Sequence, residues 1–212
     1  MPRKQVQANS APEKLSRADK VAANRSSLLR AGAEIVGEYG YKDASIAMIT
    51  ERAGLGHGTF YKHFPSRQAL FDELLPSVGR DLLDEVREIV RGATDVVDME
   101  ERGFRAFFDF IDKHPGFYRV LNEAEVAAPE AFDLHNDTMG KHYVRALKRS
   151  QQRGEVPELK ELDFEVIANV LMAARFYLYL RFSKSGRKTK RIPEAVVRAY
   201  MRFVAYGLVG RP

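Results

Sequence analysis

A glycine-pinned turn between two short helical patterns is the most restrictive feature of this chain. Residues 44–70 read ASIAMITERAGLGHGTFYKHFPSRQAL. Ile46, Ile49 and Ala53 fall at helical spacing on one face of the first segment. Gly54 follows, and glycine takes the left-handed conformation that a tight helix C-cap needs. The second segment is about two turns long. Phe60 and Phe64 stand four apart and pack inward, so Thr59, Tyr61, Lys62 and His63 are left to point elsewhere. Two crossed short helices of this kind bury little by themselves, so the preceding and following segments must supply the rest of a core.

A short helix with a hydrogen-bonding outer face, propped by a second small helix, suits the major groove of duplex DNA. Charge placement agrees. The net charge is +5, and all of it falls in residues 1–67, where 11 Lys/Arg face 6 Asp/Glu; the remainder holds 23 of each sign. Basic side chains near phosphates gain affinity by releasing counterions.

The motifs in order resemble the DNA-binding pattern of TetR-type transcriptional regulators. These are Gly40-Tyr41, Ser45-Ile46, Ala53-Gly54-Leu55, Gly58-Thr59-Phe60-Tyr61 and the run His63-Phe64-Pro65-Ser66-Arg67-Gln68-Ala69-Leu70. The resemblance covers roughly residues 25–72. It implies an all-α fold, with a three-helix helix-turn-helix domain over 16–66 and a larger helical effector-binding and dimerisation domain over 67–212. It implies DNA contacts from Ser45, His57, Gly58, Thr59, Tyr61, Lys62, His63 and Arg67. Ser45 would cap its helix and offer its hydroxyl to a phosphate. Arg67 would meet a phosphate beside a helix N-terminus. Two positions depart from the pattern: Ala47 stands where relatives often carry a basic residue, and Gly56 where many carry Ser. Arg52 is a candidate to compensate for Ala47.

Residues 1–15 are polar and aperiodic and are expected to be a disordered basic arm. Arg3, Lys4, Lys14, Arg17 and Lys20 either reach a minor groove or simply stay solvated. Ser16 and Asp19 have capping-box spacing, so a support helix starts there or near Asn24 and ends at Gly40. After Ser66 a long helix repeats Leu70, Leu74, Leu75, Val78, Leu82, Leu83, Val86 and Ile89. Pro76 is expected to interrupt and kink it, marking a junction between reading and sensing parts.

Further on, an amphipathic helix spans Asp98 to Lys113, with Phe104, Phe107, Phe108 and Ile111 on one face and Phe110 off it. Pro115 and Pro129 open two more helices. Aromatic stripes at this spacing usually fill cores. With the resemblance they also suggest a ligand cavity, lined by Phe104, Phe107, Phe108, Ile111, Phe117, Leu121, His135, Met139, Tyr143, Met172, Arg175 and Phe176. Arg105, Arg119 and Arg175 either neutralise an anionic ligand or form surface ion pairs. His135 and His142 stand seven apart without an evident third ligand, so no metal site is expected.

Asp163 is expected to cap a helix, apolar nearly all round, that runs through Phe182. A basic loop over 183–191 and a last helix after Pro193 follow. A helix with two apolar faces needs two burial partners, and the last two helices are expected to form half of an intermolecular four-helix bundle in a homodimer. The chain has 212 residues and no cysteine, which excludes disulfides and thiol-ligated metal. It shows no membrane-length apolar run and no signal-peptide pattern, so a cytoplasmic location is expected.

No phosphate-cradling glycine loop, nucleophile elbow or zinc motif is present, and neither catalytic residues nor a cofactor are expected. The function expected is a one-component regulator, a repressor in the first instance. A small lipophilic or aromatic effector would release it from a palindromic double-stranded operator. The alternatives are a sequence-blind helical DNA binder and an all-α enzyme acting on an apolar metabolite.

Overall fold

The structure is a computed structural model, and it describes residues 16–185 and 188–208. The expected arm over 1–15 lies outside the described residues; Arg17 and Lys20, named with it as groove candidates, sit in the first helix. The fold is all-α. In chain order the helices are α1 (Arg17–Tyr39), α2 (Ile46–Ala53), α3 (His57–His63), α4 (Arg67–Val90), α5 (Val96–Lys113), α6 (Phe117–Ala127), α7 (Pro129–Gln152), α8 (Glu161–Leu178) and α9 (Glu194–Leu208). A π-turn, Tyr179–Ser183, prolongs α8. The basic loop that follows contains a two-residue antiparallel pairing, Lys184 with Thr189 and Ser185 with Lys188.

Local chemistry sets the first boundaries. Ser16 and Asp19 form a reciprocal capping box, with both hydrogen bonds at 3.1 Å, which fixes the start of α1 at Arg17. Ser45 accepts from the Met48 amide at 3.2 Å and Ser66 from the Ala69 amide at 3.1 Å, each closing an orphan donor at a helix start. Gly54 takes φ 66° and ψ 30°, the left-handed cap that ends α2.

Leu28, Ile35 and Val36 of α1, Ile49 of α2 and Phe60 of α3 are buried together with Phe64 and with Leu70, Phe71 and Leu74 of α4. The first half of α4 thus completes the core of the three small helices. Arg25 adds an ion pair to Glu73 across α1 and α4, and its guanidinium lies 4.8 Å from the centroid of the Phe64 ring. Pro76 does not interrupt α4, which runs unbroken to Val90. Pro76 has no N–H to give to the carbonyl one turn back. Leu74 and Leu75 before it and Gly79 and Leu82 after it are buried, so packing holds the helix on both sides.

α5, α6 and α7 pack on α4, α8 packs on α7, and α9 packs along α5. Phe110, off the face of Phe104, Phe107, Phe108 and Ile111, is buried all the same, against His114 at 4.4 Å and Phe117 at 5.5 Å. Asp163 is not the cap of α8. Lys160 precedes the helix, and Asp163 in the first turn accepts from the Lys160 amide at 2.8 Å.

α8 and α9 keep apolar side chains at the surface. Leu162, Val166, Val170 and Tyr177 are exposed along α8, and Phe203 and Tyr206 along α9. Among the described residues no helix is long and apolar enough to cross a membrane.

Candidate nucleic-acid interface and ligand cavity

The α3 surface is built by subtraction. Phe60 and Phe64 are buried, with ring centroids 5.8 Å apart, and they fix the rotation of the helix. That rotation leaves His57, Gly58, Tyr61 and Lys62 exposed, and Thr59 and His63 half-buried. Tyr61 is 57% exposed, so its phenol faces solvent and is not absorbed into the small core. None of these five side chains makes an internal hydrogen bond or ion pair among the described residues, so their polar groups are free for an outside partner. A Cβ at Gly58 would meet nothing within 4 Å, which lets another backbone come close.

Neighbouring cations are less free. Arg52 is held by Glu34 and Glu38 of α1, each at 3.0 Å, so it braces α2 and does not stand in for a base at Ala47. Arg67 donates to the Ala44 carbonyl at 3.0 Å and lies over the Phe71 ring at 5.3 Å. It therefore ties the start of α4 to the entry of α2. Ser45 accepts one hydrogen bond for its cap, and its O–H can still donate.

Behind this surface, residues of α4, α5, α6, α7 and α8 line a half-open cavity of about 560 Å³. That size suits a drug-sized molecule. Of the residues expected to line it, Phe107, Phe117, Leu121, His135, Met139, Tyr143, Met172, Arg175 and Phe176 form its wall. Phe104, Phe108 and Ile111 do not. They are buried behind the wall, where Phe104 stacks on Tyr200 at 4.2 Å and lies 4.9 Å from Phe108. One helical face is wide enough to serve both the cavity and the core, and α5 divides it between them.

The three arginines separate clearly. Arg105 pairs with Glu101 at 2.8 Å and with Glu194 at 2.6 Å. Arg119 pairs with Glu123 at 2.6 Å. Of these three, Arg175 alone is in the cavity wall, and it is buried there. It donates to Glu100 at 2.8 Å, and Tyr200 donates to the same carboxylate oxygen at 2.5 Å. Burial pushes the Tyr200 phenol up, despite the nearby Arg175. Glu100 carries no hydrophobic signal at its position and was missed from sequence. Its only hint was an acid inside an otherwise apolar stripe.

His135 is also buried in the wall, against Phe117 and Gly79. Loss of solvent lowers its pKa to about 4, so it is neutral near pH 7. His142 lies nearer the surface, 3.4 Å from Arg87, and its pKa is lowered by burial and by Arg145, Arg87 and Arg149.

Residues 28–74 match the family described as bacterial regulatory proteins, tetR family. The HTH-type transcriptional activator FasR of Mycolicibacterium smegmatis is 33% identical over 99 residues, spanning 47% of this chain and 45% of that protein. The chain thus spans less than half the length of that relative. The nucleoid occlusion factor SlmA of Shewanella pealeana is 26% identical over 147 residues, 68% of this chain and 75% of that protein. The solved structure of GusR from Salmonella enterica shares the fold, with a TM-score of 0.71 and 20% identity over 94% of this chain and all of that one (100%). The matched segment is the same stretch that forms α2, the Gly54 turn and the exposed face of α3. On that agreement, residues 28–74 are a tetR-family segment of bacterial regulatory proteins, and the chain around it shares the fold of GusR.

Proposed function

We propose that this protein is a homodimeric, effector-controlled repressor that binds a palindromic operator through α3. The carrying observation is that the chain combines an unpaired polar α3 face with a half-open, mainly apolar cavity bordered by α4, the helix whose first half completes the core under α3. In this reading residues 16–66 read DNA, and residues 67–212 sense the effector and dimerise.

Base reading falls to His57 and Thr59. Tyr61, Lys62 and His63 grip the phosphate backbone, with Ser45 and Arg67 beside them. One two-turn helix reads too few bases for useful specificity. Two copies related by a two-fold axis read half-sites about 34–36 Å apart or multiples of that spacing. The exposed stripe of Leu162, Val166, Val170 and Tyr177, with Phe203 and Tyr206, supports a dimer through α8 and α9, since so much exposed apolar surface on the last two helices is otherwise costly.

Communication runs through α6 and α4. Phe117, Tyr118 and Leu121 of α6 face the cavity. The other side of α6 grips α1: Arg119 donates to the Glu38 carbonyl at 2.8 Å and the Tyr39 carbonyl at 3.0 Å, and Glu123 accepts from the Tyr41 amide at 3.0 Å. An effector that displaces α6 therefore pulls on the last turn of α1. It changes DNA affinity only as far as it binds one arrangement better than the other.

The test is linkage. N-phenyl-1-naphthylamine, a neutral apolar fluorophore, is titrated into the full chain with and without a duplex selected from a random library. The proposal expects the duplex to weaken fluorophore binding by the same factor as the fluorophore weakens duplex binding. Independent binding of the two contradicts it.

A further inference from the structure

Among the described residues, two nitrogens of one buried guanidinium have no partner. Arg175 is 5% exposed, and only its Nη2 is used, on Glu100. Its Nε and Nη1 are sealed from solvent and make no hydrogen bond among the described residues. The Nδ1 of His135, equally buried at 5%, is unpartnered as well. Both side chains belong to the cavity wall.

Buried donors left unsatisfied are costly, and native proteins keep few of them without a reason. The surroundings hold Arg175 in place. Its guanidinium lies 5.0 Å from the Tyr143 ring centroid and 5.8 Å from that of Phe104. Tyr200 donates to Glu100 from the far side. The group is charged and short of acceptors beside an otherwise apolar space, and because its Nε and Nη1 are covered, a ligand oxygen reaches them only when a neighbouring side chain shifts aside.

We propose that the cavity takes an apolar molecule carrying an sp² acceptor oxygen, a carbonyl or a carboxylate, and that Arg175 receives that oxygen. The assignment rests on the effector-cavity reading above and deepens it. Arg175 and Glu100 are together neutral, so a carbonyl oxygen is accepted without a charge cost. Exposed Arg87 and Arg149, also in the wall, leave room for a carboxylate. A ligand with no acceptor would leave both nitrogens as they are and gain only burial. A charge-assisted hydrogen bond here is worth at least about tenfold in affinity.

The experiment displaces N-phenyl-1-naphthylamine from the full chain with three size-matched probes: 4-phenylbutanoate, methyl 4-phenylbutanoate and butylbenzene. At least one oxygenated probe is expected to bind about tenfold tighter than butylbenzene. A tighter acid identifies an anionic ligand, and an equal or tighter ester a neutral carbonyl. In the double variant Glu100→Gln with Arg175→Met, which leaves no lone buried charge, the preference falls to within about threefold while the fluorophore still binds. Should that variant fail to fold by circular dichroism, Arg175→Lys keeps the charge on Glu100 but removes the planar donors, and the preference falls at least about threefold. Equal binding of all three probes, or a preference that survives these substitutions, overturns the assignment. A wild-type chain that takes up no fluorophore overturns it together with the effector reading. Fluorophore binding that leaves DNA affinity unchanged overturns the regulatory reading alone, and the Arg175 preference then stands.

Discussion

Gly37 of α1 and Gly116 at the head of α6 meet backbone to backbone. A Cβ on Gly116 would lie 2.8 Å from the Gly37 Cα, and one on Gly37 would run into the Gly116 Cα. The contact lets α6 come close enough for Arg119 to reach the α1 carbonyls. Overpacking such a junction costs about 1–3 kcal/mol, so Gly37→Val is expected to lower stability by at least that much in urea denaturation. Gly140 in α7 is the control. Nothing lies within 4 Å of a Cβ there, so Gly140→Ala is expected to raise stability by about 0.5–1 kcal/mol through helix propensity.

Arg119→Gln removes the grip on Glu38 and Tyr39 without touching the cavity face of α6. Fluorophore affinity is expected to stay within about twofold of wild type. The effect of the fluorophore on DNA binding should shrink, because coupling energies of about 1–3 kcal/mol are carried by a few such contacts. Anisotropy titrations of labelled duplex, with and without fluorophore, measure both.

Much of this was legible in the sequence, and for a common reason. The Ser16–Asp19 box, the Ser45 and Ser66 caps, the Gly54 turn and the inward Phe60 and Phe64 are all local, set by residues within one or two turns. What escaped is long-range. Arg52 was free to face DNA until Glu34 and Glu38 of α1 came beside it. Phe104, Phe108 and Ile111 shared a face with Phe107, and only the arrival of α9, with Tyr200, made the first of them core. Glu100 meets Arg175 across 75 residues, and no periodicity announces such a pair. Pro76 signals an interruption through its missing N–H alone, yet α4 stays helical through it, with buried residues on both sides.

On α3 the two kinds of contact separate by experiment. Lys62→Ala is expected to weaken binding to every duplex and to lower the slope of log affinity against log salt by about one. Thr59→Ala and His57→Ala should instead change which base is preferred within a half-site, at about 1–3 kcal/mol of discrimination. Competition titrations over a salt series distinguish them.

His135 makes the fold acid-sensitive. Its pKa falls from 6.5 to about 4 on burial. Between those values the unfolded chain binds the proton and the folded chain does not, so stability drops as pH falls through that window. From pH 7 to pH 5 this costs about 2 kcal/mol. His135→Gln, which cannot take the proton, is expected to lose correspondingly less over the same range, by denaturation midpoints at each pH.

The central claim is that the exposed side of α3, doubled by a two-fold axis, recognises sequence. Selection of bound duplexes from a random library by the full chain tests it most directly. The account predicts enrichment of a palindrome bound at least about 10³-fold tighter than a shuffled duplex at the same salt. A library that stays unenriched, with all duplexes bound alike, would contradict it.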